Sequence, residues 1–301
     1  MQARQPLVSV LMNCYNGEKY LRAAIDSIVG QTYQNWELIF WDNQSTDSTA
    51  TICASYLDDR IRYFYAPEHT ELGQARILAF AQARGDFIAI LDADDVSNAD
   101  RLSRQVQYFA DHPEVGLLGT WGHHIDRDGC VFAEFRPPAD QNELQNCLGW
   151  TNPILHSSTM YRRQLAIQIH GYDSSLVNSS DYGLILAMAQ VSRIAVLGEF
   201  LCGLRVLPSS MSRSKKYRSI VAREELRLYQ RAAVCLPLSE FARRLNRRAQ
   251  AIERIKLGLC RLSEGSPMTG LISILKELAK EPSALWGNGP IRRFLNITWW
   301  S

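Results

Sequence analysis

Over the first 120 residues, apolar runs alternate with stretches of helical spacing, and this rhythm restricts the chain more than any other feature. Leu7–Met12, Trp36–Trp41, Ile61–Tyr65 and Phe87–Leu91 read as strands. In Glu18–Val29, residues Leu21, Ala24, Ile25, Ile28 and Val29 share one helical face. Ser45-Thr46-Asp47 offers a helix cap before Ile52, Ala54 and Tyr56. Leu72–Ala83 turns Ala75, Leu78, Ala79 and Ala83 inward, and Ala99–Asp111 does the same with Leu102, Val106 and Phe109. Strands and helices in strict alternation predict an α/β fold, with a mostly parallel sheet flanked by helices on both faces.

Residues 115–160 break the rhythm and read as more irregular, with a hairpin signalled by Asp128-Gly129 between HHI and CVFAEF. Ser179–Ala189, Lys216–Ala233 and Leu238–Leu262 have helical spacing. The 301 residues are 46% hydrophobic, enough for a full core in one large domain or two modest ones. No apolar run approaches the ~18 residues that a membrane-spanning helix needs. The opening MQARQPLVSV is too short in its apolar part to be expected to act as a signal peptide. Seven cysteines without a C-x-x-C pair indicate neither zinc nor a disulfide framework, and fit a reducing cytosol. The net charge of +2 hides a split. Residues 1–212 carry 15 Lys and Arg against 24 Asp and Glu, and residues 213–301 carry 18 against 7. A boundary near SSMSRSKKYR (209–218) is therefore expected, with an α/β domain before it and a basic helical extension after it.

The strand Phe87–Leu91 runs directly into Asp92, Asp94 and Asp95. In open α/β sheets, ligands sit beyond the carboxyl ends of strands. Cys14-Tyr15-Asn16-Gly17 and the DNQSTD run from Asp42 to Asp47 fall at two other such ends. One crevice would thus gather several carboxylates and an aromatic ring. Carboxylates in that number repel one another unless a cation sits among them, and Mg²⁺ or Mn²⁺ takes oxygen ligands completed by phosphate oxygens and water. The plainer alternative is that the three acids cap a helix beginning near Ala99.

VSVLMNCYNGEKYLRAAIDSIVGQTYQNWELIFWDNQSTDST, followed by LGQARILAFAQARGDFIAILDADD, resembles the inverting family-2 glycosyltransferases of GT-A, Rossmann-like fold. NPILHSSTMYRR (152–163), SSDYGLILAMA (179–189) and LRVLPSSMS (204–212) extend the resemblance over residues 7–212. It implies that Tyr15 stacks on a nucleotide base, with Asn16 beside it, and that Asp42 accepts from a pyrimidine imide N–H. It implies that Arg76 reaches a ribose hydroxyl or diphosphate oxygen, that Asp92 binds ribose, and that Asp94 ligates Mg²⁺ or Mn²⁺. Asp95 would hold a water of that metal, touch the sugar, or cap the next helix. Asp181 would be the general base that takes the proton of the acceptor hydroxyl. His156 and Trp150 are candidate sugar or acceptor contacts. The sequence departs from the family where Asn43 and Gln44 replace a second Asp and a Gly, where Ile77 replaces Asn, and where Ser180 and Gly183 replace Glu and Asp.

The implied activity is transfer of a hexosyl or N-acetylhexosaminyl group from a nucleoside diphosphate, with UDP first in line, to a hydroxyl of a glycan or lipid-linked acceptor in surface polysaccharide synthesis. The alternative is a degenerate, non-catalytic nucleotide-sugar-binding protein. RRLNRR (243–248), Met268–Ala279 and IRRFLNITWW (291–300) combine cations with apolar residues. They suit either a helical subdomain packed on the sheet or, above all for Leu285–Trp300, attachment to an anionic membrane surface. A cytoplasmic enzyme, peripheral on the inner face of the cytoplasmic membrane, follows from that second reading. Nucleic acid is not expected, because no nucleic-acid motif accompanies the arginines.

Overall fold

The structure, a computed structural model, describes residues 5–207, 215–263 and 266–281. The elements run β1 (Val8–Cys14), α1 (Leu21–Val29), β2 (Trp36–Asp42), α2 (Thr49–Ala54), β3 (Ile61–Tyr65), α3 (Leu72–Gln82) and β4 (Phe87–Ile90). Then come β5 (Val96–Ser97), α4 (Arg101–Asp111), β6 (Val115–Ile125), β7 (Val131–Phe135), α5 (Gln141–Cys147), β8 (Met160–Arg162) and α6 (Arg163–Gln168). The chain continues with α7 (Ser180–Met188), β9 (Arg193–Arg205), α8 (Arg218–Cys235), α9 (Glu240–Ser263) and α10 (Pro267–Lys280).

The strands form one sheet in the order β3-β2-β1-β4-β8-β6-β9-β5, with β7 paired to β6. From β3 to β4 every pairing is parallel, whereas β8 joins β4 and β6 antiparallel. All of β2 and β4 is buried, as continuous apolar runs under helices on both faces must be. Alternate residues of β1 serve opposite faces. Val8, Val10 and Met12 pack with Leu21, Ile25 and Leu102, whereas Leu11 packs with Ala75, Ala79 and Ile185. Because β2 and β4 flank β1, the chain leaves β1 in both directions across the sheet, which opens a crevice beyond the carboxyl ends of β1 and β4.

The stretch expected to be irregular contains a regular feature, since β6 runs unbroken for 11 residues and pairs along most of its length with β9. The expected hairpin joins β6 to β7, with Gly129 at φ 88 in the turn. The Ser45-Thr46-Asp47 cap is displaced: α2 starts at Thr49, and Asp47 instead accepts from the N–H groups of Glu18 and Thr49.

Helices α8 and α9 share the main core. Leu228, Tyr229, Ala232, Ala242 and Ala249 belong to the same apolar cluster as Leu11 and Ile39 of the sheet. Helix α10 lies on α9, where a Cβ on Gly258 would come within 3.1 Å of the Gly270 carbonyl. Its far side leaves Met268, Leu271, Ile272 and Leu275 exposed. Among the described residues no helix is long and apolar enough to cross a membrane. The Leu285–Trp300 segment lies outside the described residues.

Candidate active site

A cavity of about 900 Å³ extends from the loops after β1 and β4 to helices α7, α8 and α9. Its sheet end is lined by Tyr15, Asn16, Arg76, Asp92, Asp94 and Asp95, and its helical end by Trp150, Asp181, Tyr182, Glu225, Tyr229, Glu253 and Lys256.

Two loops build the far sheet end. Asn16, at φ 52, accepts from the Thr46 N–H at 2.8 Å, and its own N–H donates to the Ser45 hydroxyl. The loop after β1 is thereby knitted to the loop after β2, and Tyr15 is left 53% exposed with its ring 4.4 Å from that of His69. Asp42 is not on the wall. It is fully buried, with one oxygen accepting from the Tyr63 hydroxyl at 2.7 Å and the other from the Ser45 N–H at 2.7 Å. It thereby ties the loop after β2 to Tyr63 of the neighbouring strand.

Arg76 is no solvated helix arginine. It is 6% exposed, donates to the Ser180 hydroxyl at 2.8 Å, touches His156 Nδ1 at 3.0 Å, and stands 3.8 Å from Asp92. Gly73 lets this turn of α3 close in, since a Cβ there would lie 2.1 Å from the Leu176 carbonyl. His156 is not on the wall either. It stands behind Arg76, with Nε2 3.2 Å from the Tyr172 hydroxyl, and braces both Arg76 and Asp92.

The three acids after β4 have three different environments. Burial works against ionisation of Asp92, but its contacts with His156, Arg76 and Ser157 outweigh it and hold the carboxyl down at about 2. Asp95 is 1% exposed, accepts from the Ser157 hydroxyl, and accepts from the Arg205 N–H at 2.7 Å. It caps no helix, because α4 begins at Arg101; it ties the loop to β9. Burial and the charges of Asp94 and Asp92 push its carboxyl well above the usual range. Asp94 faces the cavity with its own backbone N–H as donor. Burial, then the charge of Asp92, raise its carboxyl to about 6. A carboxylate made reluctant to ionise by a neighbouring anion suits a divalent cation, which removes that repulsion. Among the described residues no group of three or more ligating side chains surrounds one point. A cation held by Asp94 would therefore complete its shell with phosphate oxygens and water.

At the helical end, Asp181 lies in the first turn of α7 and accepts from the Asn152 amide at 2.9 Å. Beside it a Cβ on Gly183 would meet Leu176 Cδ1 at 2.4 Å, so a larger residue there would need the Leu176 side chain to turn aside. The preceding loop is clamped from α8, where buried Glu224 accepts from the N–H groups of Val177, Asn178 and Ser179 at 2.6, 3.1 and 2.8 Å. Asn246 of α9, also buried, donates to the carbonyls of Gly149 and Tyr229, pinning the loop of Trp150 to both helices. Sequence reading missed Glu224, Glu225, Asn246, Glu253 and Lys256. A signal was present, because Asn246 and Glu253 continue the buried spacing of Ala242 and Ala249, where a plain helix would carry apolar residues.

The family model described as glycosyl transferase family 2 matches residues 9–169, more than half of the chain. This chain belongs to that family. An Escherichia coli relative, a UDP-Glc:α-D-GlcNAc-diphosphoundecaprenol β-1,3-glucosyltransferase, is 27% identical over 219 residues, covering 71% of this chain and 82% of the relative. The fold matches S. aureus TarS 1–349 in complex with UDP-GlcNAc, with a TM-score of 0.68 at 18% identity, over 92% of this chain and 81% of that one. It also matches a mannosyltransferase from Pyrobaculum calidifontis in complex with GDP-Man and Mn²⁺, with a TM-score of 0.61 at 19% identity, over 98% and 79% of the two chains. The transferase therefore has the GT-A architecture, and the carboxylates Asp92 and Asp94 sit at the carboxyl end of its central strands.

Proposed function

We propose that this transferase moves a hexose or N-acetylhexosamine from a nucleoside diphosphate, UDP in the first instance, to a hydroxyl of a glycan or lipid-linked acceptor in surface polysaccharide synthesis, with inversion. The observation that carries this reading is that Asp92 and Asp94, with Tyr15 beside them, share one cavity with Asp181. A donor held at the sheet end leaves its far face open toward Asp181. The Escherichia coli relative is named for such a donor and a lipid diphosphate acceptor, and the two structural neighbours hold nucleotide sugars.

Tyr15 offers an exposed ring face to the base. Asp92, held ionised, accepts from ribose hydroxyls. Arg76, fixed by Ser180 and His156, keeps a cation beside the diphosphate, and its Nε has no protein partner. Asp94 would hold Mg²⁺ or Mn²⁺, which when bound neutralises the charge growing on the leaving diphosphate. Asp181 takes the proton of the acceptor hydroxyl while that oxygen bonds to the anomeric carbon. The bond from that carbon to the diphosphate oxygen breaks, its electron pair leaves with the nucleoside diphosphate, and the anomeric centre inverts. The exposed apolar side of α10, next to basic α9, supports attachment to the inner face of the cytoplasmic membrane.

Sugar release from a panel of UDP- and GDP-sugars, followed with Mn²⁺ and with EDTA, tests the reading. Turnover should require the cation, and Asp94→Ala should lower it by about 10³-fold. Wild-type turnover undiminished by EDTA, or Asp94→Ala as active as the wild type with Mn²⁺, would remove the metal role. Tight nucleotide-sugar binding without any turnover would favour the binding-only alternative, which the Ser180 side chain, committed here to Arg76, keeps open.

A further inference from the structure

Two adjacent glutamates of α8 point to different tasks. Glu224 turns inward to the loop before α7, whereas Glu225, one residue on, lines the cavity. Across from it on α9, Glu253 also lines the cavity while being only 3% exposed. Its Oε1 accepts from Lys256 at 2.7 Å, and its carboxyl, raised to about 8 by burial and then by the charge of Glu225, is hydrogen-bonded to the Glu225 carboxyl. Lys256 stands 4.0 Å from Glu225, whose side chain is 30% exposed. Glu253 thus backs Glu225 from behind, while Glu225 itself turns toward the cavity. Glu225 lies close enough to Asp181 to feel its charge, so this wall adjoins the candidate base. Trp150 and Tyr229 line the same end with ring surface.

Resting on the transferase reading, we propose that α8 and α9 form the acceptor subsite and that its ligand is an uncharged sugar ring. Hydroxyls flanking the attacking one donate to Glu225, which Glu253 and Lys256 hold in position, and Trp150 or Tyr229 covers the apolar face of the ring. Asp181 and Glu225 are the carboxylates that this end turns to the cavity, which disfavours a uronic acid. Arg218, also on the wall, stands seven residues before Glu225, about 10 Å away along the helix.

The test uses the full chain with Mg²⁺ and UDP or GDP, and p-nitrophenyl β-glucoside, N-acetyl-β-glucosaminide and β-glucuronide as acceptor probes. Saturation-transfer NMR reads the glycosides and calorimetry reads the nucleotide. The wild type should bind a neutral glycoside and not the glucuronide. Glu225→Gln and Glu253→Gln should each weaken neutral glycoside binding by about tenfold. They should also narrow the discrimination against the glucuronide, and leave nucleotide affinity within about twofold. Glu253→Gln/Lys256→Met removes the pair together and serves where the single variant folds poorly. Absence of nucleotide binding in the wild type would overturn the donor reading. Nucleotide binding with no glycoside bound, a glucuronide bound as well as the neutral glycosides, or unchanged selectivity in the variants would overturn the acceptor assignment alone.

Discussion

The sheet end and the helical end of the cavity both collect carboxylates, but they are assembled differently. Asp92, Asp94 and Asp95 arrive together on one loop, because a strand aimed at a crevice delivers whatever follows it. Asp181, Glu225 and Glu253 come from three helices and meet only when α8 and α9 close against α7. Their compensation also differs. Arg76 and His156 keep Asp92 ionised, whereas at the helical end Lys256 serves two glutamates. On the proposed reading, the first arrangement would take a polyanion with its cation and the second a ring of hydroxyl donors.

If the two ends have separate tasks, Asp181→Asn should break one and spare the other. Turnover should fall by about 10³-fold, the scale of a lost general base, while UDP affinity in calorimetry stays within about twofold. The amide keeps the size of the side chain and loses its basicity. Equal loss of nucleotide binding would mean that the ends act as one unit. Undiminished turnover would exclude Asp181 as the base.

Acidity separates the ends in a second way, with a smaller effect. The Asp94 carboxyl is raised from 3.8 to about 6 in the fold, by burial and then by Asp92. Glu253 is raised from 4.5 to about 8, by burial and then by the charge of Glu225. Between its unfolded and folded values, each group is ionised in the unfolded chain but still protonated in the folded one. Stability therefore falls as pH rises through that window and is level outside it. Asp94 acts from about pH 4 to 6, and Glu253 from about 4.5 to 8. Stability from urea unfolding without nucleotide should decline across this range by an amount on the order of 3 kcal/mol for Asp94. Asp94→Asn should flatten the decline mainly below pH 6, and Glu253→Gln should flatten what remains between 6 and 8. Mg²⁺ with UDP should flatten the lower part alone. A decline that both variants leave unchanged would show that neither carboxyl is poised in this way.

The same contrast decides what was legible in the sequence. The parallel strands, α1, α3, α4 and the acidic turn were readable because each is encoded in a short window: a buried run, a repeat of apolar positions, or three acids in four residues. Arg76 showed the limit of that method. Its place on α3 is adjacent to the apolar face, yet only the packing of Ser180 and His156 makes it a buried cation. Asp42 was readable as an acid at a strand end, but not as one enclosed by Tyr63, which comes from the neighbouring strand. The helical wall was hidden further. The basic composition of residues 213–301 reflects in part the exposed arginines of α9, such as Arg243, Arg244 and Arg247, while the buried faces of α8 and α9 carry Glu224, Asn246 and Glu253 at positions that only helix packing turns into a site.

The smallest effect concerns the loop at the sheet end where the chain departs from its family. Gln44 has φ 67, in the left-handed region where a side chain is strained and glycine is not. Its amide donates to the carbonyls of Pro67 at 3.0 Å and Ala66 at 3.3 Å, which offsets part of that strain. Gln44→Gly and Gln44→Ala both remove these bonds, so they differ in backbone freedom alone. Gln44→Gly should be the more stable of the two by about 1 kcal/mol in urea unfolding. If alanine proved equal or better, the loop would not hold this conformation in solution. Tyr15, whose neighbour Asn16 is bonded to Ser45 and Thr46 of the same loop, would then lose the support that keeps its ring facing the cavity.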